Sequence, residues 1–351
     1  MTVTMAIVGF GKSANRYHLP YLKQRTNLKV KTIYDHGFRH YPAEQAAYQQ
    51  AGVHLTTDFA ELLADPEIEL VTITTPAATH YDLAKQLLLN GKNVLVEKPF
   101  CETTAEAEEL LTLAKEKHLI AMPFQNRRFD SDYLALAHVL QVGYLGQPLE
   151  IESHLDHYRR QTTNQDGDPI NGQFYGLGIH TIDQMVALFG QPKQVYYDIR
   201  PQQNQGNLDD YYEVDLFYEG FKAKVKSSNL VATPYPKFIL HGTMGSFIKY
   251  GIDQQENDLK AQIMPGAANF GQDAPSAYGH LHYQNSNGDW IDKDLPTPQG
   301  DYGRVYDAMV ATLTANQPKL VSDDELLTDL RILEAGIQVA GPHVTDFTSR
   351  G

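Results

Sequence analysis

Six apolar runs alternate with helix-like segments over the first 124 residues, and this rhythm narrows the fold more than any other feature of the chain. The runs are Val3 to Val8, Leu28 to Tyr34, His54 to Thr57, Leu70 to Thr75, Val94 to Val96 and Leu119 to Phe124. Most are dominated by apolar residues, as parallel strands covered by helices on both faces are. Between them, Asp58 with Glu61 and Thr103 with Glu106 read as capping boxes, and Gly91 after LAKQLLLN reads as a helix stop. The pattern predicts a doubly wound parallel sheet in a domain over residues 1–124.

A chain of 351 residues exceeds what one core usually serves, so a second domain over 125–351 is expected. From residue 145 the texture turns to β, in VYYDIR, YYEVDLFY and FKAKVKSS. In the last of these, Lys222, Lys224 and Lys226 share one face while Ala223 and Val225 share the other, the period of a strand with one wet side. Glu219-Gly220 marks a hairpin turn. Helices return around GIHTIDQMVALFG, at YGRVYDAMVATL, and from Ser322, where Ser322 and Glu325 repeat the capping pattern. This half reads as an α+β domain on one main sheet.

Composition excludes several partners. The 43 acids against 29 bases leave a formal charge of -14, which repels nucleic acid and anionic membrane surfaces. Cys101 is the single cysteine, so a disulfide within the chain and a cysteine-based zinc site are ruled out, and a reduced cytoplasmic setting is expected. MTVTMAIVGFG lacks the charged start and long apolar stretch of a secretion signal, and no run has membrane-spanning length. His36 with His40, and His280 with His282, lack an evident third ligand, so no metal site is expected.

The segment GFGKSA follows the first run and opens a helix, as a dinucleotide fingerprint does. Gly9 permits the tight turn, Gly11 lets backbone approach a pyrophosphate, and Ala14 allows close packing, with Phe10, Lys12 and Ser13 completing the turn. Asp35 ends the second run, where an acid accepts hydrogen bonds from the adenosine ribose. His36, Arg39 and His40 follow it and would suit a 2'-phosphate, which Asp35 would repel. The acid weighs more, giving NAD as the expected cofactor with NADP the alternative. At the fifth run, VEKPF places Glu97 and Lys98 at a strand's carboxyl end before Pro99. Ligands of open α/β sheets bind at such ends, and a lysine there can steady an oxygen that gains charge as hydride moves.

The set GFGKSA, TTPAATH at 74–80, EKP at 97–99, NRRFD at 126–130 and GIHTIDQ at 178–184 resembles the glucose-fructose oxidoreductase and inositol dehydrogenase (Gfo/Idh/MocA) family over essentially the whole chain. The resemblance implies a Rossmann domain, then a domain with a large, open, mostly antiparallel sheet that often mediates dimers or tetramers. It implies NAD- or NADP-dependent oxidation or reduction of sugars, inositols and related polyols. It places Lys98 beside the nicotinamide and the reacting hydroxyl, with Thr75, Pro76 and His80 in the cofactor-side loop and Glu97 and Asn126 on the same side. His180 matches the motif histidine, a plausible proton acceptor that Asp183 at i+3 would orient. Family members commonly carry an aspartate four residues before that histidine, and here Gly176 stands in its place. Tyr175, Asp156, Tyr158 and Arg159 are candidates to compensate, and of Arg127 and Arg128 one is expected to clamp substrate and the other to pair with an acid. A cofactor-sensing regulatory protein of the same fold is the rival reading, kept open by Gly176.

Overall fold

The computed structural model describes residues 2–160, 167–204, 206–339 and 341–348. The strands are β1 (Val3–Val8), β2 (Leu28–Tyr34), β3 (His54–Thr56), β4 (Leu70–Ile73), β5 (Asn93–Val96), β6 (Ala121–Pro123), β7 (Pro148–His154), β8 (Gln194–Arg200), β9 (Tyr211–Phe217), β10 (Lys222–Ser228), β11 (Phe238–Gly242), β12 (Gly245–Lys249), β13 (Gly279–Gln284), β14 (Trp290–Leu295) and β15 (His343–Asp346). The helices are α1 (Leu19–Leu22), α2 (Pro42–Gln50), α3 (Phe59–Ala64), α4 (His80–Leu89), α5 (Thr104–Glu116), α6 (Ser131–Val142), α7 (Ile179–Phe189), α8 (Gln254–Lys260), α9 (Arg304–Ala315) and α10 (Asp323–Gln338). The chain forms two compact units, one of residues 1–126, 261–268 and 302–327, the other of 127–260, 269–301 and 328–351.

The first unit is built on a parallel sheet in the order β3-β2-β1-β4-β5-β6. Its central strands are apolar because both faces are covered: Met5 to Val8, Leu70, Val71, Ile73 and Val94 to Val96 are wholly buried. Each of the larger side chains among them contributes about 1.5 to 3 kcal/mol on leaving water. Strand order reverses between β1 and β4, which opens a crevice at their carboxyl ends. Thr103 and Glu106 cap α5 reciprocally as expected, and Gly91 (φ +76°) follows the end of α4. The Asp58 box forms only in half. Asp58 accepts the Ala60 amide, but Glu61 turns to His54 Nε2 at 2.8 Å, a stronger partner than an exposed amide.

A single boundary near residue 124 does not describe these units, because 302–327 packs with the first. Tyr302, Tyr306 and Met309 there are fully buried, and the Arg25 guanidinium grips Asp307 through two bonds of 3.0 and 2.9 Å.

The second unit carries a nine-stranded sheet, β14-β13-β12-β11-β7-β10-β9-β8-β15, antiparallel at every pairing except β7 with β10. β9 and β10 form the expected hairpin, closed by Tyr218 N–H to Phe221 O at 3.0 Å with Gly220 at φ +80°. On its open face Lys222 reaches Asp215 at 3.2 Å, and Lys224 and Lys226 reach Glu213 at 3.3 and 2.8 Å. Ala223 and Val225 are buried on the other face. α7 buries Ile182, Met185 and Val186, and its Thr181 hydroxyl lies 3.2 Å from that of Tyr212 in β9. Among the described residues no helix is long and apolar enough to cross a membrane.

Candidate functional site

In the first unit the chain after β1 turns at Gly9, whose φ of +99° suits only a residue without a side chain. An added Cβ there would also stand 2.8 Å from Thr74 Oγ1. Gly11 differs: nothing lies within 4 Å of where its Cβ would be. That empty cradle lies at the start of the helical segment 12–22, whose first amides lack intrahelical acceptors. Asn15 turns the carbonyls of Phe10 and Gly11 aside by donating to both at 3.0 Å. The segment widens into a π turn over Ala14–His18, with Leu19 N–H bonding back to Ala14 O. Pro20 explains the widening, since it has no N–H and its ring would meet the carbonyl of Arg16.

Several sequence-named residues take part in shaping this cradle. The Phe10 ring is buried against Phe38, Tyr41 and Tyr48 at 5.8 to 6.4 Å. Ala14 is wholly buried, as close packing requires, and Lys12 is exposed. Asp35 accepts the amides of Phe10 (2.9 Å), Gly37 (3.1 Å) and Phe38 (2.8 Å). Burial pushes its carboxyl up, and those three amides with His36 outweigh it, so it stays ionised below the usual aspartate range. Its first task is thus to shape the loop 36–41, where Phe38 and Tyr41 take φ of +46° and +61° and Arg39 is exposed. His36 and His40 stand in that loop. Among the described residues no group of histidine, cysteine and carboxylate side chains has the arrangement to hold a metal ion.

At the end of β4, Thr75 Oγ1 lies 2.7 Å from Thr79 Oγ1, and Pro76 is exposed. His80 is buried, its ring nitrogens 2.8 Å from Thr75 O and 2.8 Å from Pro99 O, so it fastens this loop to the one bearing Lys98. The Lys98–Pro99 peptide is cis. Asn126 is buried past β6, its amide donating to Phe124 O at 3.0 Å.

Glu97 is the centre of a network that sequence reading missed. Its Oε1 accepts the Ser13 hydroxyl at 2.5 Å and lies 2.8 Å from His18 Nε2, and its Oε2 accepts the Lys98 amide at 3.1 Å. Ser13 therefore spends its hydroxyl on Glu97. His18 Nδ1 lies 2.7 Å from the Tyr306 hydroxyl, which reaches Thr72 Oγ1 at 3.3 Å. Burial pushes Glu97 up, but His18, Lys98 and Ser13 prevail and hold it at about 2. An acid ending a buried strand was the available signal. Its partners lie 79 and 84 residues upstream and, through His18, at Tyr306, too distant for spacing to reveal.

In the second unit His180 is buried in the first turn of α7. Asp183 is committed elsewhere than expected: Arg128 grips it through Nε at 3.1 and 3.0 Å and Nη2 at 2.7 Å, both side chains buried. Arg128 is thus the acid-paired arginine, but Arg127 also pairs, with Asp130 at 2.9 Å and Glu256 at 3.7 Å. Tyr175 is a fully buried core ring, and Asp156 accepts the Ser228 amide on Oδ1 at 3.0 Å. Tyr158 and Arg159 are exposed. Gly176 lies in the π turn Phe174–Gly178, and nothing stands within 4 Å of its would-be Cβ. The space a carboxylate would fill there is open. Asp209 anchors the entry to this turn, accepting the Phe174 amide at 2.6 Å, and burial lifts its carboxyl to about 6.

A parallel sheet in this order, with a glycine cradle at its switch point and an ionised acid ending β2, defines a dinucleotide-binding α/β protein. Family models agree along nearly the whole chain: "Oxidoreductase family, NAD-binding Rossmann fold" matches residues 3–125, and "Oxidoreductase family, C-terminal alpha/beta domain" matches residues 138–342. The chain belongs to this Gfo/Idh/MocA oxidoreductase family. It is 48% identical over 343 residues to the uncharacterized oxidoreductase YhhX of Escherichia coli, covering 97% of this chain and 98% of that one. It is 29% identical over 340 residues to scyllo-inositol 2-dehydrogenase (NADP(+)) IolW of Bacillus subtilis, covering 96% and 93%. A crystal structure of an oxidoreductase from Bacillus cereus superposes with a TM-score of 0.97 at 53% identity, over 100% of both chains.

Proposed function

We propose that this oxidoreductase interconverts a secondary alcohol and its ketone on a sugar, inositol or related polyol, using NAD. When bound, the nicotinamide accepts or supplies the hydride. Lys98 donates to the substrate oxygen as negative charge develops there, a charge-assisted bond. His180 takes the hydroxyl proton during oxidation and returns it in the other direction. The observation that carries the reading is Lys98 at the carboxyl end of β5, its amide bonded to the Glu97 carboxylate beside the Gly11 cradle helix. IolW, named for scyllo-inositol, supports a polyol as substrate class. A panel of sugars and inositols with NADH and NAD, followed at the nicotinamide absorbance, tests it; cofactor binding without turnover across the panel would favour the sensor reading that the open space at Gly176 keeps alive.

The preference for NAD rests on charge. Asp35 is held ionised, and a carboxylate facing a 2'-phosphate is repulsive, whereas one acceptor position on Oδ2 remains for a ribose hydroxyl. IolW carries NADP in its name, so the choice calls for direct titration of both reduced cofactors. The open face of the nine-stranded sheet, with its lysine and carboxylate rows, is the proposed contact between copies in a homodimer or homotetramer, and sedimentation at low and high salt tests it.

A further inference from the structure

We infer that His18, backed by Tyr306, is a positioning residue for the reaction: it pins the Glu97 carboxylate that orients Lys98 and favours its charged form. The inference rests on the reading of Lys98 as the donor to the substrate oxygen.

His18 and Tyr306 are both wholly buried, in a position where a polar ring needs a purpose. The imidazole has little freedom, with the Phe124 ring at 4.2 Å and the Tyr306 hydroxyl at 2.7 Å from Nδ1. Its Nε2 therefore meets Glu97 Oε1 in one orientation, at 2.8 Å. The other carboxylate oxygen takes the Lys98 amide, so the acid grips the very peptide from which Lys98 projects. Ser13, from the fingerprint helix, closes the same Oε1 at 2.5 Å. One carboxylate thus ties the cofactor turn, the β5 end and α9 together. Without His18, the Glu97 carboxylate stays ionised where a lysine titrates but loses the partner that fixes Oε1, and is free to swing away from Lys98. Lys98 would then lose a fixed negative neighbour and an anchored backbone.

A merely structural pair would matter for folding and leave the lysine's chemistry alone. The test therefore reads Lys98 directly. Competitive amine labelling of the protein without cofactor, read by mass spectrometry across pH, gives the midpoint at which Lys98 becomes reactive. In His18→Leu the midpoint should fall by about one pH unit while other lysines stay unchanged. His18→Gln, which keeps a donor toward Glu97, should restore most of it, and Tyr306→Phe should give a smaller fall. These two conservative variants carry the test if His18→Leu does not fold: the inference then stands on a fall in Tyr306→Phe larger than in His18→Gln or equal to it. Unchanged Lys98 midpoints in the folded variants would overturn the inference. With a substrate in hand, His18→Leu should lower kcat at least about tenfold with KM for cofactor little changed. The supporting reading fails separately: if Lys98→Met turns over normally while the His18 variants still shift the labelling midpoint, the positioning of Lys98 stands and its catalytic role falls.

Discussion

Arg128 Nη2 lies 2.7 Å from Asp183 Oδ1, and the two side chains are sealed from solvent. Breaking such a pair strands a buried charge, so Asp183→Asn should destabilise the protein by about 3 to 5 kcal/mol. Denaturant unfolding measures this. If Asp183 served chiefly to orient His180, the same substitution would leave stability near normal and change the pH profile of turnover instead.

Two glycines only two positions apart, Gly9 and Gly11, should separate folding from cofactor binding. Gly9→Ala meets Thr74 Oγ1 at 2.8 Å from a backbone at φ +99°, so it should cost stability as well as binding. Gly11→Ala meets nothing within 4 Å and should fold with an unchanged melting temperature. Its methyl nevertheless occupies the cradle, and NADH affinity should drop about tenfold or more, equivalent to about 1.4 kcal/mol. Thermal melts beside fluorescence titration check both halves.

A buried acid gives the stability its pH dependence. Asp132 is wholly buried with neither oxygen hydrogen-bonded, and burial, with Asp130 nearby, lifts its carboxyl to about 6 against 3.8 when free. A raised acid binds its proton more tightly when folded. Its contribution is therefore complete below pH 4 and is lost as pH rises from about 4 to 6. Asp132→Asn should remove that slope, a change on the order of 2 to 3 kcal/mol between the two ends. Unfolding curves at pH 4.5 and 7 on both proteins would show it; parallel slopes would contradict it.

Much of the fold was legible because the central strands of the first sheet are buried on both faces and so read as apolar runs. Val3 to Val8 and Leu28 to Tyr34 begin and end where the apolar runs do. The run at Leu70 overshoots, since Thr74 turns its hydroxyl to Val8 O and Gly9 O, a choice made by a strand 66 residues away. The same limit hid His18 and Tyr306 and sent Asp183 to Arg128, 55 residues off, when local spacing pointed to His180. Tyr175 looked like a site residue by its neighbours, but the π turn that carries it directs its ring into the core. Polar residues near a motif declare their chemistry in the sequence. Which partner consumes that chemistry is settled by packing.

Cofactor choice should follow the charge at Asp35. NADH is expected to bind more tightly than NADPH, and Asp35→Ser should narrow the difference by removing the repulsion while loosening the loop amides of Gly37 and Phe38. Titration of both cofactors against both proteins decides it, and tighter NADPH binding by the native chain would assign the choice to Arg39 and its neighbours.

The most direct measurement is kcat and NADH Kd for Lys98→Met once a substrate is found. The substitution keeps the side chain's length and leaves the Glu97 carboxylate its amide partner, while removing the donor to the reacting oxygen. Loss of one preorganised donor costs about 2.7 to 4 kcal/mol, so kcat should fall roughly a hundred- to a thousandfold. NADH affinity should stay close to native, because the Gly9 to Ala14 turn holds the dinucleotide. Near-normal turnover in a folded Lys98→Met protein would contradict the account and leave Glu97-Lys98-Pro99 as the structural end of a strand.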